Sequence, residues 1–384
     1  MKLSDRVLNI EPSATLEVIN KVNALKESGE NVISFGAGEP DFDTPISISE
    51  AGKQAIDDGF THYTPVTGIN ILKDAIIEKL KKDNNISYNR ENIIVSNGAK
   101  HSLFNAFTTI LNPGDEVIIP QPYWVSYGEM VILCGGVPVY VQTSIDDGFA
   151  FRANLIKDKI TSKTKAIILN SPNNPTGAVL EESEIRKIAD LAIKHDLIII
   201  SDEIYEKLVY GEKKHFSVAS ISEEVKNRTI TINGVSKAYA MTGWRIGYMA
   251  GPSDFIKNAS NFQGHTTSNP NSIAQKASVK AMLMDNRDLQ PMIDEFKRRR
   301  DYMYEELSKN DKFIMPPKPD GAFYIFLDIS KFNMRSLEFA KYVIEKEKVG
   351  VVSGIAFGMD NYVRLSYANS MEEIIEGVNR LKNL

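Results

Sequence analysis

From Ile46 to about Asn286, short apolar runs alternate with longer stretches whose apolar residues recur at helical spacing. The runs are Ile93–Ser96, Glu116–Ile119, Val137–Val141, Ala166–Leu169, Leu197–Ser201, Thr229–Ile232 and Gly247–Ala250. Helical spacing covers 47–58, 69–83, 99–111, 123–134, 182–195 and 271–284. Strands that are apolar on both faces and separated by helices predict an α/β fold with a mostly parallel sheet covered on both sides. Such sheets bind ligands beyond the carboxyl ends of their strands.

The last hundred residues have a different texture. A charged helix over Leu289–Asn310 precedes the runs Gly321–Asp328, Gly350–Ser353 and Tyr362–Ser366, with helices near 336–347 and from Ser370 onward. At the other end, Pro12 to Thr15 caps an amphipathic helix reaching about Glu27, and Val32–Phe35 reads as a short strand. The expected division is a large domain at 46–286 and a smaller α+β domain made of 1–45 with 287–384, since 384 residues exceed one ordinary core. The segment Gly36–Pro45 is too rich in Gly, Pro and Asp for regular structure and is expected to act as a lid or hinge. Its Gly36 and Gly38 do not open a dinucleotide fingerprint, because Asp41 stands where the third glycine belongs and Pro40 blocks a helix.

Composition narrows the function. Apolar residues make up 42% and charged residues 25%, with a net charge of -5 and no long block of like charge, which argues against nucleic acid as the main partner. The run Lys297–Arg300 lies in a helical stretch among acids and is expected to form a solvated face. Cys134 is the single cysteine, so no internal disulfide forms, and its position on a helical pattern predicts a small core residue. No apolar run approaches the ~18 residues of a membrane span and the first residues lack a signal-peptide core, so a cytoplasmic protein without a membrane partner is expected.

Candidate chemistry gathers at three strand ends. Ala166–Asn170 runs into the loop Ser-Pro-Asn-Asn-Pro-Thr-Gly at 171–177, Leu197–Asp202 is followed by Tyr205, and Thr229–Asn233 leads to Lys237. Each of Asn174, Asp202, Tyr205 and Lys237 alone reads as a cap, a turn or a solvated side chain. Together on neighbouring strands they suit one ligand, pyridoxal 5'-phosphate. Lysine forms a Schiff base with an aldehyde, a carboxylate keeps a pyridine nitrogen protonated, and a phenol and an amide can hydrogen-bond a phenolic oxygen. The phosphate needs a helix N-terminus and a cation. Gly98, Ala99 and Lys100 open a helix after a strand, Arg245 follows Lys237 by eight residues, and Ser236 adds a hydroxyl. No metal site is expected.

These motifs resemble those of the class I, fold-type I pyridoxal-phosphate aminotransferases. The resemblance rests on 171–177, on Ser-Asp-Glu-Ile-Tyr at 201–205, on Ser236-Lys237 with Gly-Trp-Arg-Ile-Gly at 243–247, and on Val-Arg-Leu-Ser-Tyr at 363–367. They lie in register from about residue 10 to the end. Pro-Ser-Ala-Thr near the N-terminus and Gly-x-Lys at 98–100 are similar to the bacterial aspartate aminotransferase branch.

The resemblance implies that Lys237 is both the Schiff-base lysine and the proton shuttle. It further implies that Trp124 stacks on the ring and that Tyr63, otherwise an ordinary loop aromatic, reaches the phosphate of a partner subunit in a homodimer. Arg364 would clamp the substrate α-carboxylate with Gly38, Trp124 and Asn174. From the residues alone, an arginine inside the apolar run Tyr362–Leu365 is either on a strand's outward face or a buried carboxylate clamp.

The expected reaction is L-aspartate plus 2-oxoglutarate to oxaloacetate plus L-glutamate by a ping-pong mechanism. Lys100, Thr15 and Ser13 are the candidates for reading the distal carboxylate, Lys100 being otherwise a solvated first-turn residue. Glu11 is acidic where close relatives carry a base, which argues against prephenate. Alternatives are transamination of aromatic amino acids, alanine or prephenate, a C–S lyase on the same scaffold, and a ligand-binding regulator, for which a DNA-binding domain has no room before residue 10.

Overall fold

The computed structural model describes residues 3, 4, 8 and 14–384, and for residues 14–19 the backbone alone. After a helix over Ala14–Glu27 and a two-residue strand, β1 (Ile33–Ser34), the chain builds one seven-stranded sheet. Its strands are β2 (Ile93–Ser96), β3 (Glu116–Gln121), β4 (Val137–Gln142), β5 (Thr164–Asn170), β6 (Ile198–Asp202), β7 (Thr229–Gly234) and β8 (Gly247–Ala250), in the order β2-β8-β7-β6-β5-β3-β4. Only β8 runs against its neighbours β2 and β7, while the remaining pairs are parallel.

Period-two alternation assigns the apolar side chains to two cores. Ala166, Ile168 and Ile200 pack with Leu103, Phe107, Val131 and Ile256 from helices on one face, and Ile167, Leu169 and Ile199 with Ile185, Ile188 and Ala192 on the other. The central strands are apolar on both faces because both are covered, which is the α/β arrangement the pattern predicts.

A second, antiparallel sheet, order β11-β12-β9, follows from β9 (Tyr324–Asp328), β11 (Val352–Ser353) and β12 (Tyr362–Ser366). The short β10 (Val349–Gly350) pairs instead with β1, so residues 33–34 join the C-terminal part of the chain. Phe296, Met303 and Leu307 of the helix Asn286–Leu307 share a core with Phe323, Ile325 and Leu365. Among the described residues, no helix is long and apolar enough to cross a membrane.

Two features depart from the sequence reading. The helix Ser253–Thr266 is not predicted by the apolar pattern, because its buried stripe of Ile256 and Ala259 ends on Gln263. Gln263 accepts hydrogen bonds from Ser96 and Asn105, both at 2.8 Å, and donates to the Val66 and Val95 carbonyls at 2.8 and 2.9 Å. It sits in the core as a satisfied polar hub. The run Lys297–Arg300 is not a solvated face throughout. Arg299 and Arg300 are buried, Arg299 bonding Asp41 at 2.7 Å and Arg300 donating to the Pro319 carbonyl at 2.8 Å. Cys134 is half-buried after the helix Ser126–Leu133, with its sulfur 3.3 Å from the Thr108 hydroxyl.

Candidate active site

Register places the predicted strand ends side by side. Asn170 on β5 pairs with Asp202 on β6, which pairs with Ile232 on β7, five residues before Lys237. Above them opens a cavity of about 1190 Å³ between the two sheets. Gly38, Ala99, Lys100, Trp124, Asn174, Asp202, Tyr205, Ser236, Lys237, Arg245 and Arg364 all line it. Each of these is a residue that the strand-end pattern or the family resemblance picks out in the sequence.

Lys237 extends its amine to the Gly38 carbonyl. Burial lowers its pKa to about 8, Glu39 opposes the shift, and the nearby Arg364 and Arg245 charges reinforce it. About a tenth of the amine is therefore free base at pH 7, far more than for an ordinary lysine. Asp202 accepts a hydrogen bond from the Tyr127 phenol at 2.6 Å and another from the Ile204 amide at 3.3 Å. Burial nevertheless pushes its carboxyl up to about 6. The Tyr205 hydroxyl lies 2.8 Å from that of Tyr324 on β9, and burial raises its pKa.

Arg364 on β12 is 4% exposed. It donates to Asn174 Oδ1 at 3.1 Å and to the Gly36 carbonyl at 3.0 Å, while its Nε has no partner among the described residues. Its guanidinium lies 4.4 Å from the Tyr324 ring centre and 5.1 Å from that of Phe357. Its hydrogen bonds go to neutral acceptors. A buried cation left so costs several kcal/mol, roughly 3 to 5, unless an anion arrives.

The anion cradle is built from missing side chains. Gly98 caps the helix Ala99–Ile110 at φ 86°, and a Cβ there would stand 2.5 Å from Arg245 Nη2. A Cβ on Gly247 would stand 2.2 Å from the Ala99 amide nitrogen. Bare backbone at both positions lets Arg245 lie across the helix N-terminus, where unsatisfied N–H groups and the helix dipole favour an anion. Arg245 itself adopts a left-handed φ of 57° and donates to the Thr242 carbonyl at 2.9 Å. Lys100, in the first turn, holds its amine 5.0 Å from the Trp124 ring centre, and burial followed by the Arg245 charge lowers its pKa.

An amine, a carboxylate, a phenol and an anion cradle around one cavity suit a planar ring bearing an aldehyde, a nitrogen and a phosphate. Arg364 stands across the cavity with donor capacity to spare for a carboxylate. Gly98 is not in the cavity wall but caps the helix whose first residues line it, and Tyr63 is 93% exposed and outside the cavity of its own chain. Ser13 and Glu11 lie outside the described residues, as does the side chain of Thr15. Tyr127 and Tyr324 were not singled out from sequence, and Asn170 and Gly36 were read only as a strand end and a loop residue. Tyr127 carried a signal, standing one helical turn after Trp124 in the same stretch. Tyr324 carried none, since only the packing of the two sheets brings it to Tyr205.

The profile of the family described as aminotransferase class I and II matches residues 30–381, and the chain belongs to that family. It is similar to the aspartate aminotransferase of Bacillus subtilis (strain 168), with 46% identity over 388 residues, covering 100% of this chain and 98% of the relative. A probable aspartate/prephenate aminotransferase of Aquifex aeolicus (strain VF5) is 46% identical over 385 residues, covering 99% and 98%. Among solved structures, the aspartate aminotransferase from Thermus thermophilus with maleate superposes with a TM-score of 0.95 at 41% identity, covering 100% of this chain and 99% of that one.

Proposed function

We propose that the chain is a pyridoxal 5'-phosphate-dependent aspartate aminotransferase that converts L-aspartate and 2-oxoglutarate to oxaloacetate and L-glutamate in two half-reactions. The observation that carries this reading is the pairing of a low-pKa Lys237 with a buried Arg364 whose donors are not all used, on opposite walls of one cavity. Full-length relatives named as aspartate aminotransferases support the substrate, as does the maleate named with the Thermus enzyme, a dicarboxylate like aspartate.

When bound, the cofactor supplies an electron sink that lets a proton leave the substrate Cα. Lys237 would hold the cofactor by its aldehyde and, once the substrate amine has displaced it there, its freed amine would carry the proton between the substrate Cα and the cofactor C4'. Asp202 would hold the ring nitrogen, fixed in orientation by Tyr127, while Tyr205 and Asn174 would hydrogen-bond the phenolic oxygen. Arg245, Ser236 and the amides from Gly98 to Lys100 would hold the phosphate, and Trp124 would cover the ring face. Arg364 would clamp the α-carboxylate, helped by Gly38, Trp124 and Asn174. Lys100, with Thr15 and Ser13, would read the distal carboxylate.

We read residues 46–286 as the large domain and 1–45 with 287–384 as the small one. Their closure over the substrate would exclude water, with Gly36–Pro45 as the hinge. The exposed Tyr63 supports a homodimer in which it reaches the partner's phosphate. The cytoplasm is the compartment that suits these substrates.

The deciding experiment mixes holoenzyme with L-aspartate, L-alanine, L-tyrosine or L-cysteine, without a keto acid, and follows cofactor absorption. Conversion to the pyridoxamine form with aspartate at far lower concentration than the others is expected. No conversion with aspartate, but pyruvate release from cysteine, would move the protein to the lyases.

A further inference from the structure

Residues 202–207 face two ways. Asp202 and Tyr205 line the cavity, whereas Glu203, Glu206 and Lys207 bond to the helix Asn70–Asn84 and to residues 201–217. Glu203 is 1% exposed and fully engaged. It accepts from Ser201 at 2.8 Å, from Ser217 on both oxygens at 2.8 and 2.9 Å and from Asn84 at 3.3 Å, and it lies 3.0 Å from His215 Nε2. Asn84 is the joint of the cluster. It also donates to Glu206 at 2.7 Å and accepts from Lys79 at 2.6 Å, while Lys79 pairs with Glu206. Lys207 reaches Asp83 at 2.6 Å from the edge of the cluster. The phenols of Tyr88, Tyr239 and Tyr248 complete the titratable surroundings, held protonated first by burial and then by the Glu203 or Glu206 charge.

We propose that Glu203 is a positioning residue for the cofactor, holding Asp202 and Tyr205 against the ring from the opposite side of β6. The inference rests on the pyridoxal 5'-phosphate reading above. A buried carboxylate engaged by donors on both oxygens has few alternative positions, and it fixes the backbone that bears it. The Glu203 amide also donates to the Ile232 carbonyl at 2.9 Å, on the strand that leads to Lys237. The cluster thus ties the β6 end to the β7 end and both to the helix Asn70–Asn84. A small displacement of Asp202 is expected to weaken ring binding and proton transfer more than substrate recognition, because Arg364 sits on a different sheet.

The test compares wild type with Glu203→Gln, which replaces the carboxylate at constant shape, and with Ser217→Ala, which keeps the carboxylate and removes the one hydroxyl donor that faces both its oxygens. Pyridoxal 5'-phosphate is titrated into each apo-protein by calorimetry, and the pH midpoint of bound-cofactor absorption is measured. For Glu203→Gln we expect cofactor affinity to fall on the order of tenfold and the midpoint to move, with kcat reduced and the aspartate KM within about twofold. Ser217→Ala is expected to move the same readouts in the same direction by less, and it decides the question if Glu203→Gln does not fold. Variants with lower thermal stability but wild-type cofactor affinity and midpoint would overturn the proposal and leave an ordinary core cluster. Wild-type protein that takes up no cofactor would overturn both this inference and the reading beneath it.

Discussion

The two sides of β6 hold buried charge in opposite conditions. Behind the strand, Lys79, Glu206, Asn84 and Glu203 satisfy one another, and burial, which alone would raise the Glu206 pKa, is overcome by the charges of Lys79, His215 and Lys207, which bring it to about 2. Facing the cavity, Asp202 is pushed up to about 6, Lys237 is lowered to about 8 and Arg364 keeps an unpartnered Nε. A charge that the protein has already paired is scaffold, whereas one left short of partners awaits a ligand. The same substitution, removal of one charge, should therefore have opposite effects on stability on the two sides.

The largest expected effect on function is at Lys237. Lys237→Ala should lose transamination by a factor on the order of 10⁴ or more while still taking up cofactor non-covalently, as read by absorption and turnover. Arg364→Ala should lower kcat/KM by about 10² to 10³ for every amino donor, since the α-carboxylate is common to all. Equal rates for one donor class would separate that class from the clamp.

On stability, Lys79→Met should cost about 3 to 5 kcal/mol in denaturant unfolding, because Glu206 stays buried without its cation. Asp202→Asn should do the reverse, making the cofactor-free protein more stable at pH 7 by up to about 3 kcal/mol while impairing catalysis. The sign follows from the raised pKa. Folded protein binds the Asp202 proton more tightly than the unfolded chain, so this contribution is present below pH 4 and lost as pH rises through about 6. Cofactor-free wild type should lose stability over that window and Asp202→Asn should not. The smallest effect is at Lys100, where Lys100→Ala should lower kcat/KM for aspartate about tenfold relative to alanine.

The sequence carried the strand ends well and the partners of the strand ends poorly. Asn170, Asp202 and Asn233 each close an apolar run, so a local pattern located them, and parallel topology made them neighbours. Arg299 was misread because its mates are remote. A run of four basic residues looks solvated until Asp41, 258 positions away, and the ring of Phe42 close over it. Gln263 hid a helix for a related reason, its polar side chain occupying a core position that periodicity assigns to an apolar residue. Local signals specify where a side chain points, and only tertiary closure specifies what meets it.

The reversed strand β8 has a mechanical consequence. Because it doubles back on β7, Lys237 and Arg245 belong to one hairpin clamped at both ends by the sheet, with Gly234 opposite Gly247. On the proposed reading, the residue that would tether the aldehyde and the one that would anchor the phosphate keep a fixed spacing, like two pins on one jig. Were the smaller sheet to rock, it would carry substrate-side groups such as Arg364 and Gly38, so such a motion would admit or dismiss a substrate without stretching the hairpin that would hold the cofactor.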